Sequence, residues 1–241
     1  MLKRFRIVGL CLVAVFAMSA VVASAAFASE FTVESGHTLA GTTFTGSGTA
    51  PKFETSGGAV VSCETSKSTG TVKGSKEAET TVTYAGKCEI NGGSAGTGTC
   101  TNVTGKQEII TEKLTIEPVE IAAGTGVSEP TERGVLITNK KEEKGMLSKF
   151  ECTGNAGKVE VKGRLVCESR GKNVKNTNVF ENKGEVVCAK GSKAGEQLYT
   201  KITGSSETFE MKATASIFKI TEKDAQITTE QLTYSQNVKQ T

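Results

Sequence analysis

The chain has 241 residues and a formal charge of +3, with 29 Lys+Arg against 26 Asp+Glu, one His and no Trp. A single histidine, His37, and a single aspartate, Asp224, exclude most catalytic sets that need either residue. So small a charge excludes a protein that grips nucleic acid by bulk attraction, and the 37% apolar content points to a thin core.

Residues 1–28 read as a secretory signal peptide. Lys3, Arg4 and Arg6 form a cationic start, an apolar run follows from Ile7 to Val22, and Ala23-Ser24-Ala25-Ala26-Phe27-Ala28-Ser29 supplies small-residue cleavage sites. Cleavage is expected after Ala28, with Ala25 as the alternative. The apolar run is almost long enough to span a bilayer, but the cleavage signal follows it directly. The three cations hold the whole charge excess, so residues 29–241 carry 26 cations and 26 anions. No later apolar segment approaches transmembrane length.

Cys11 leaves with the signal. Cys63, Cys88, Cys100, Cys152, Cys167 and Cys188 remain, and an even number in an exported chain reads as disulfides. Zinc is disfavoured by the absence of any C-x-x-C pair and by the lone His37. Each of Cys63, Cys88, Cys152 and Cys167 falls on the apolar side of an alternating run, which suits bridges within or across a core. Cys88 and Cys100 flank a Gly-rich loop and could close a local bridge, as could Cys167 and Cys188 around a polar excursion. Cys63–Cys152 would then be the long-range staple. Loop closure gives roughly 3 kcal/mol for the short bridge and somewhat over 4 for the long one.

After the signal, the dominant pattern is alternation of β-branched or apolar residues with Thr, Lys or Glu. It predicts strands over 31–34, 38–45, 59–64, 69–73, 78–84, 86–90, 107–116, 118–122, 134–138, 146–152, 158–167, 184–189, 197–203, 207–220 and 226–234. Gly, Asn and Ser punctuate them, and the stretches 46–48, 57–58 and 92–98 read as loops without a P-loop or dinucleotide context. Apolar parity changes across Pro118, which predicts a bulge or an edge. Parity slips again at Phe218, which predicts a second bulge. No amphipathic helix is evident, and the charged run 139–145 reads as a solvated hairpin tip.

Nothing assembles into a catalytic set. His37 lies in Ser-Gly-His-Thr without an elbow motif and reads as an exposed strand-edge residue. The glutamates could supply two opposed carboxylates for glycoside hydrolysis, but most alternate with apolar positions, as solvent-facing strand residues do. With one Asp, no calcium loop is formed, and no cofactor is implied. Asn102-Val103-Thr104 matches a glycosylation sequon.

Certain short segments resemble a group of secreted, β-rich, cysteine-containing proteins of soil actinobacteria. They are Phe31-Thr32-Val33-Glu34-Ser35-Gly36, Val61-Ser62-Cys63-Glu64-Thr65, Tyr84-Ala85-Gly86-Lys87-Cys88, and Phe150-Glu151-Cys152 followed by Val159-Glu160-Val161-Lys162-Gly163. The likeness is spread over about residues 1–165. It implies that Cys63, Cys88, Cys100 and Cys152 are shared, and that Cys167 and Cys188 are an added pair bonded to each other. It carries no activity across.

Together these readings predict one all-β domain over 29–241, an antiparallel sandwich or flattened barrel with three disulfides. The expected role is a secreted or envelope-associated, non-catalytic module that binds a surface, glycan or protein partner, with no nucleic acid and no membrane span after signal cleavage. The alternatives are a carbohydrate-active enzyme using paired glutamates, or a small-ligand carrier with a cavity between sheets.

Overall fold

A computed structural model describes residues 29–122, 131–141, 145–170, 181–216 and 220–241. The expected signal peptide, the expected slip at Phe218 and residues 142–144 of the charged run lie outside the described residues.

Seventeen strands and one short 3-10 turn (Gly93–Ala95) make up the regular structure among the described residues. The first strands are β1 (Phe31–Val33), β2 (Thr43–Thr49), β3 (Lys52–Thr55), β4 (Val60–Ser62), β5 (Thr65–Gly74) and β6 (Glu77–Ala85). Next come β7 (Glu89–Asn91), β8 (Gly98–Thr101), β9 (Glu108–Ile110), β10 (Leu114–Ala122), β11 (Thr131–Thr138) and β12 (Met146–Cys152). The last are β13 (Gly157–Gly163), β14 (Leu165–Arg170), β15 (Glu181–Cys188), β16 (Met211–Ala215) and β17 (Ile220–Gln240).

Antiparallel pairing closes eight of these into a barrel, in the order β6, β10, β11, β14, β15, β17, β2, β5 and back to β6. A second, shorter circuit of eight runs β7, β8, β12, β13, β16, β17, β3, β4 and back to β7. The two circuits share β17. Its 228–238 portion serves the first and its 220–227 portion the second. Closure removes the long free edges that an open sheet would carry, apart from the end of β10 beyond Ile116. The expected all-β antiparallel class is therefore present as barrels.

Chain segments cross from one circuit to the other at bends that the sequence marks. β2 passes to β3 through buried Pro51, and β6 to β7 through Gly86 and Lys87, both at positive φ. The run 158–167, expected as one strand, bends at Gly163 (φ 120°) into β13 and β14. A Cβ there would lie 2.2 Å from the Glu210 carbonyl oxygen, so only glycine fits. Gly46 and Gly48, expected in a loop, instead lie inside β2, where a side chain would collide with Ser68 and Ser66.

One apolar cluster joins the circuits. It takes Val82, Leu114 and Leu165 from the first and Phe53, Phe150 and Val161 from the second. A smaller cluster lies outside the first barrel. There Val119, Ile121, Leu136 and Val166 are covered by Tyr199, Ile202 and Phe209. This explains the change at Pro118. No bulge is involved, because β10 and β11 stay in unbroken register from Thr115 to Ala122. The apolar residues before Pro118, Leu114 and Ile116, face the barrel interior, and those after it, Val119 and Ile121, face the covered outer surface. The expected edge is real, since β10 has parted from β6 after Ile116. The covering stretch 197–203, expected as a strand, is irregular apart from isolated bridges. Within 207–220 only Met211–Ala215 and Ile220 are strand among the described residues.

The disulfides are Cys63–Cys88, Cys100–Cys152 and Cys167–Cys188. The last agrees with expectation; Cys88–Cys100 and Cys63–Cys152 are corrected. The register gives the reason. Cys63, Cys88, Cys100 and Cys152 stand side by side in one row across β4, β7, β8 and β12. Cys88 and Cys100 are neighbours as predicted, but the Cys100 N–H donates to the Cys88 carbonyl at 2.8 Å. That makes them a hydrogen-bonded pair, the wider kind in an antiparallel ladder. A residue whose amide points to one neighbour presents a narrow, non-hydrogen-bonded site to the other. Cys63 and Cys152 occupy those narrow sites, with Cα–Cα distances of 4.1 and 4.0 Å. All three bridges thus join directly opposed residues of adjacent strands, rather than crossing the core.

Candidate binding groove

The polar groups inside the barrels come from the inner face of β17, where Glu222, Asp224, Gln226, Thr228 and Glu230 alternate inward before Leu232. The Gln226 amide donates to the Tyr84 hydroxyl at 2.9 Å, and the Ser68 hydroxyl donates to Glu230 Oε2 at 2.8 Å. Asp224 is 1% exposed, and neither carboxylate oxygen meets a hydrogen-bond partner. Burial pushes its carboxyl up to about 8; the Ala225 amide opposes this weakly and Glu222 reinforces it.

Each circuit encloses a cavity of about 50 Å³, one among Phe53, Val61, Phe150 and Asp224, the other among Phe44, Val82, Leu114 and Glu230. That is room for a few waters, whereas ligand pockets run to roughly 300–1,000 Å³. The interiors therefore do not suit a small-ligand carrier.

Larger hollows lie outside the second circuit. The segment 189–210 leaves β15, crosses the outer cluster and returns to β16. Glu168 pins it: Tyr199 OH donates to Oε2 at 2.8 Å, while Arg170 grips both carboxylate oxygens at 2.6 and 2.7 Å. Burial alone would raise the Glu168 pKa, but Arg170 and Tyr199 outweigh it and the carboxyl is held low. Between this segment and the outer face of β13, β16 and β17 run two adjoining hollows. One, of about 250 Å³, is lined by Gln197, Thr200, Thr208, Glu210, Lys223 and Asp224 among others. The other, of about 370 Å³, is lined by Lys162, Gly163, Arg164, Thr208, Glu210 and Lys212. Thr208 and Glu210 belong to both, so the hollows form one groove.

One wall of the groove is stiffly built. The Arg164 N–H donates to the Glu210 carbonyl at 3.0 Å. The Arg164 guanidinium stacks over Phe209, 4.7 Å from the ring centroid, and its Nη1 meets Glu207 at 2.7 Å. Glu210 Oε1 accepts from Lys223 Nζ at 2.7 Å and raises the lysine's pKa.

The other sequence candidates are dispersed. His37 is exposed, but in a turn after β1 rather than on a strand. All six cysteines are consumed in disulfides, so none is free as a metal thiolate. Among the described residues the glutamates with displaced pKa values are Glu79, Glu160 and Glu168, all held low by basic or hydroxyl partners. A glycosidase's general acid needs the opposite shift. The sequon's Asn102 is 8% exposed and works as a turn fastener. Its Oδ1 accepts from the Thr104 and Lys106 amides and its Nδ2 donates to Glu108. No helix among the described residues is long and apolar enough to cross a membrane. The groove itself escaped the sequence reading, because it depends on which strands are neighbours. Compared with known proteins, the chain matches no family model, no curated protein and no solved structure at a significant level.

Proposed function

We propose that this chain is an exported, non-catalytic binding module, extracellular or attached to the cell envelope, that takes its partner in the groove over β13, β16 and β17. The groove carries this reading: hollows of about 250 and 370 Å³ with charged and hydroxyl-bearing walls, against interior cavities of about 50 Å³. Export is supported by the signal-like residues 1–28, by the resemblance to secreted actinobacterial proteins, and by three disulfides, which persist in oxidising compartments. The stapled barrels offer a rigid platform, which lowers the ordering cost of binding.

Thr208 is exposed and lines both hollows, so Thr208→Trp fills the groove without touching the core. Retention of the mature protein on insoluble cell-wall material and on immobilised polysaccharides tests the proposal. The expected result is retention of the wild type on at least one of them, weakened at least about tenfold, or roughly 1.4 kcal/mol, by T208W with an unchanged melting temperature. Retention that T208W leaves untouched, or no retention at all, refutes the groove as the binding surface.

A further inference from the structure

Register on the outer face of the second circuit places Lys162 opposite Lys212 and Lys212 opposite Lys223. Three lysines thus stand directly side by side on adjacent strands, and all three line the groove. Adjacent strands are about 4.8 Å apart, and like charges directly opposite each other are destabilising. The next outward row on the same strands is Glu160, Thr214 and Thr221, with no such repetition. The two outer lysines are ion-paired, Lys162 with Glu160 at 2.6 Å and Lys223 with Glu210 at 2.7 Å. Lys212, in the middle, is exposed and has no ion pair among the described residues. The Lys223–Glu210 pair is exposed and gives way cheaply to a better partner, whereas the Lys162–Glu160 pair is half-buried and holds more firmly.

Resting on the groove as the binding surface, we infer that its occupant is an anionic polymer, whose carboxylate or phosphate groups sit on Lys212 and draw in Lys162 and Lys223 from either side. An oxyanion at Lys212 would relieve the repulsion along the row and use the cation of the row that has no carboxylate partner among the described residues. Arg164, held over Phe209, extends the basic lining beside Lys162 and Lys212, whereas the hollow past Thr208 carries Glu196 and Glu210, so the anion is confined to the Lys162–Arg164–Lys212 side. Overall charge balance hides this site, because the excess is local to one row.

The test uses the disulfide-intact mature protein and three immobilised probes: polygalacturonate for carboxylate, polyphosphate for phosphate and dextran as the neutral control. Binding to at least one anionic probe is expected. It should weaken at least tenfold between 50 and 500 mM salt, as screening predicts, and roughly five- to tenfold in Lys212→Gln, while Lys212→Arg retains it. Lys67→Gln, at an exposed position on the first barrel, should bind as the wild type does. Which anionic probe binds identifies the source of the oxyanion. Dextran binding that T208W blocks but K212Q leaves intact would overturn the anionic occupant and leave the groove standing. Binding of anions unaffected by both K212Q and T208W, or no binding to any probe, would overturn the inference together with the groove.

Discussion

Asp224 is the chain's single aspartate, and it is placed where a carboxylate costs most. It lies in the wall between the interior of the second circuit and the groove, with both oxygens buried and unpartnered. The folded protein therefore keeps its proton up to about pH 8, whereas the ordinary value is 3.8. Between those limits the native state binds more protons than the unfolded chain, so stability falls as pH rises. The contribution is complete below about pH 4, is lost through about pH 8, and is on the order of 5 kcal/mol. Wild-type melting temperature should drop across this window. Asp224→Asn should flatten the slope and melt several degrees higher at pH 8.5. A wild-type melting temperature that climbs steadily from pH 4.5 to 8.5 would contradict this. Glu79 acts outside the window. Lys113, Lys73 and Lys141 hold it down to about 2, so its contribution is present above its ordinary value of 4.5 and is lost only as pH falls below that. The sequence reading left Asp224 between the expected strands 207–220 and 226–234, whereas β17 runs unbroken through it. Its isolation was not legible either, because period-2 alternation there places Glu222, Asp224, Gln226, Thr228 and Glu230 all on the same face, and only the barrels make that face the inside.

At the scale of the strands, alternation identified most segments and placed Cys63, Cys88, Cys152 and Cys167 on apolar sides, while the even count of six in an exported chain is what read as disulfides. It could not identify neighbours. Cys88 and Cys100 were correctly expected to be adjacent, but a wide, hydrogen-bonded pair and a narrow pair look the same in sequence. The narrow sites belong to Cys63 and Cys152, which come from strands far along the chain. Peptide mapping of the unreduced mature protein should find 63–88, 100–152 and 167–188, with about 3–4 kcal/mol lost on removing any one bridge. Peptides linking 88 to 100, or 63 to 152, would contradict the register. The same blindness to neighbours explains Pro118. An apparent parity slip there is a covered outer face, created by Tyr199, Ile202 and Phe209 from a segment that was itself expected to pair as a strand. Glycines 46 and 48 misled for a related reason. They are small because Ser68 and Ser66 crowd the barrel wall, not because β2 turns.

Across the whole molecule, two eight-strand circuits threaded on one long strand wrap a thin core that runs through both of them. Shared residues bind the circuits together, and the disulfides lock adjacent strands where they meet and along the first barrel. Formal neutrality of residues 29–241 removes bulk attraction but not local structure in the charge. The row Lys162, Lys212 and Lys223 is assembled from three separate stretches of sequence, each unremarkable among many lysines, and it exists only once β13, β16 and β17 are in register. A ¹⁵N-labelled mature protein titrated with oligogalacturonate, and in parallel with short-chain polyphosphate, tests the central claim most directly. Amide shifts confined to residues 162–164, 208–212 and 223 with at least one of these anions would bear it out, and shifts elsewhere, or none with either, would contradict it.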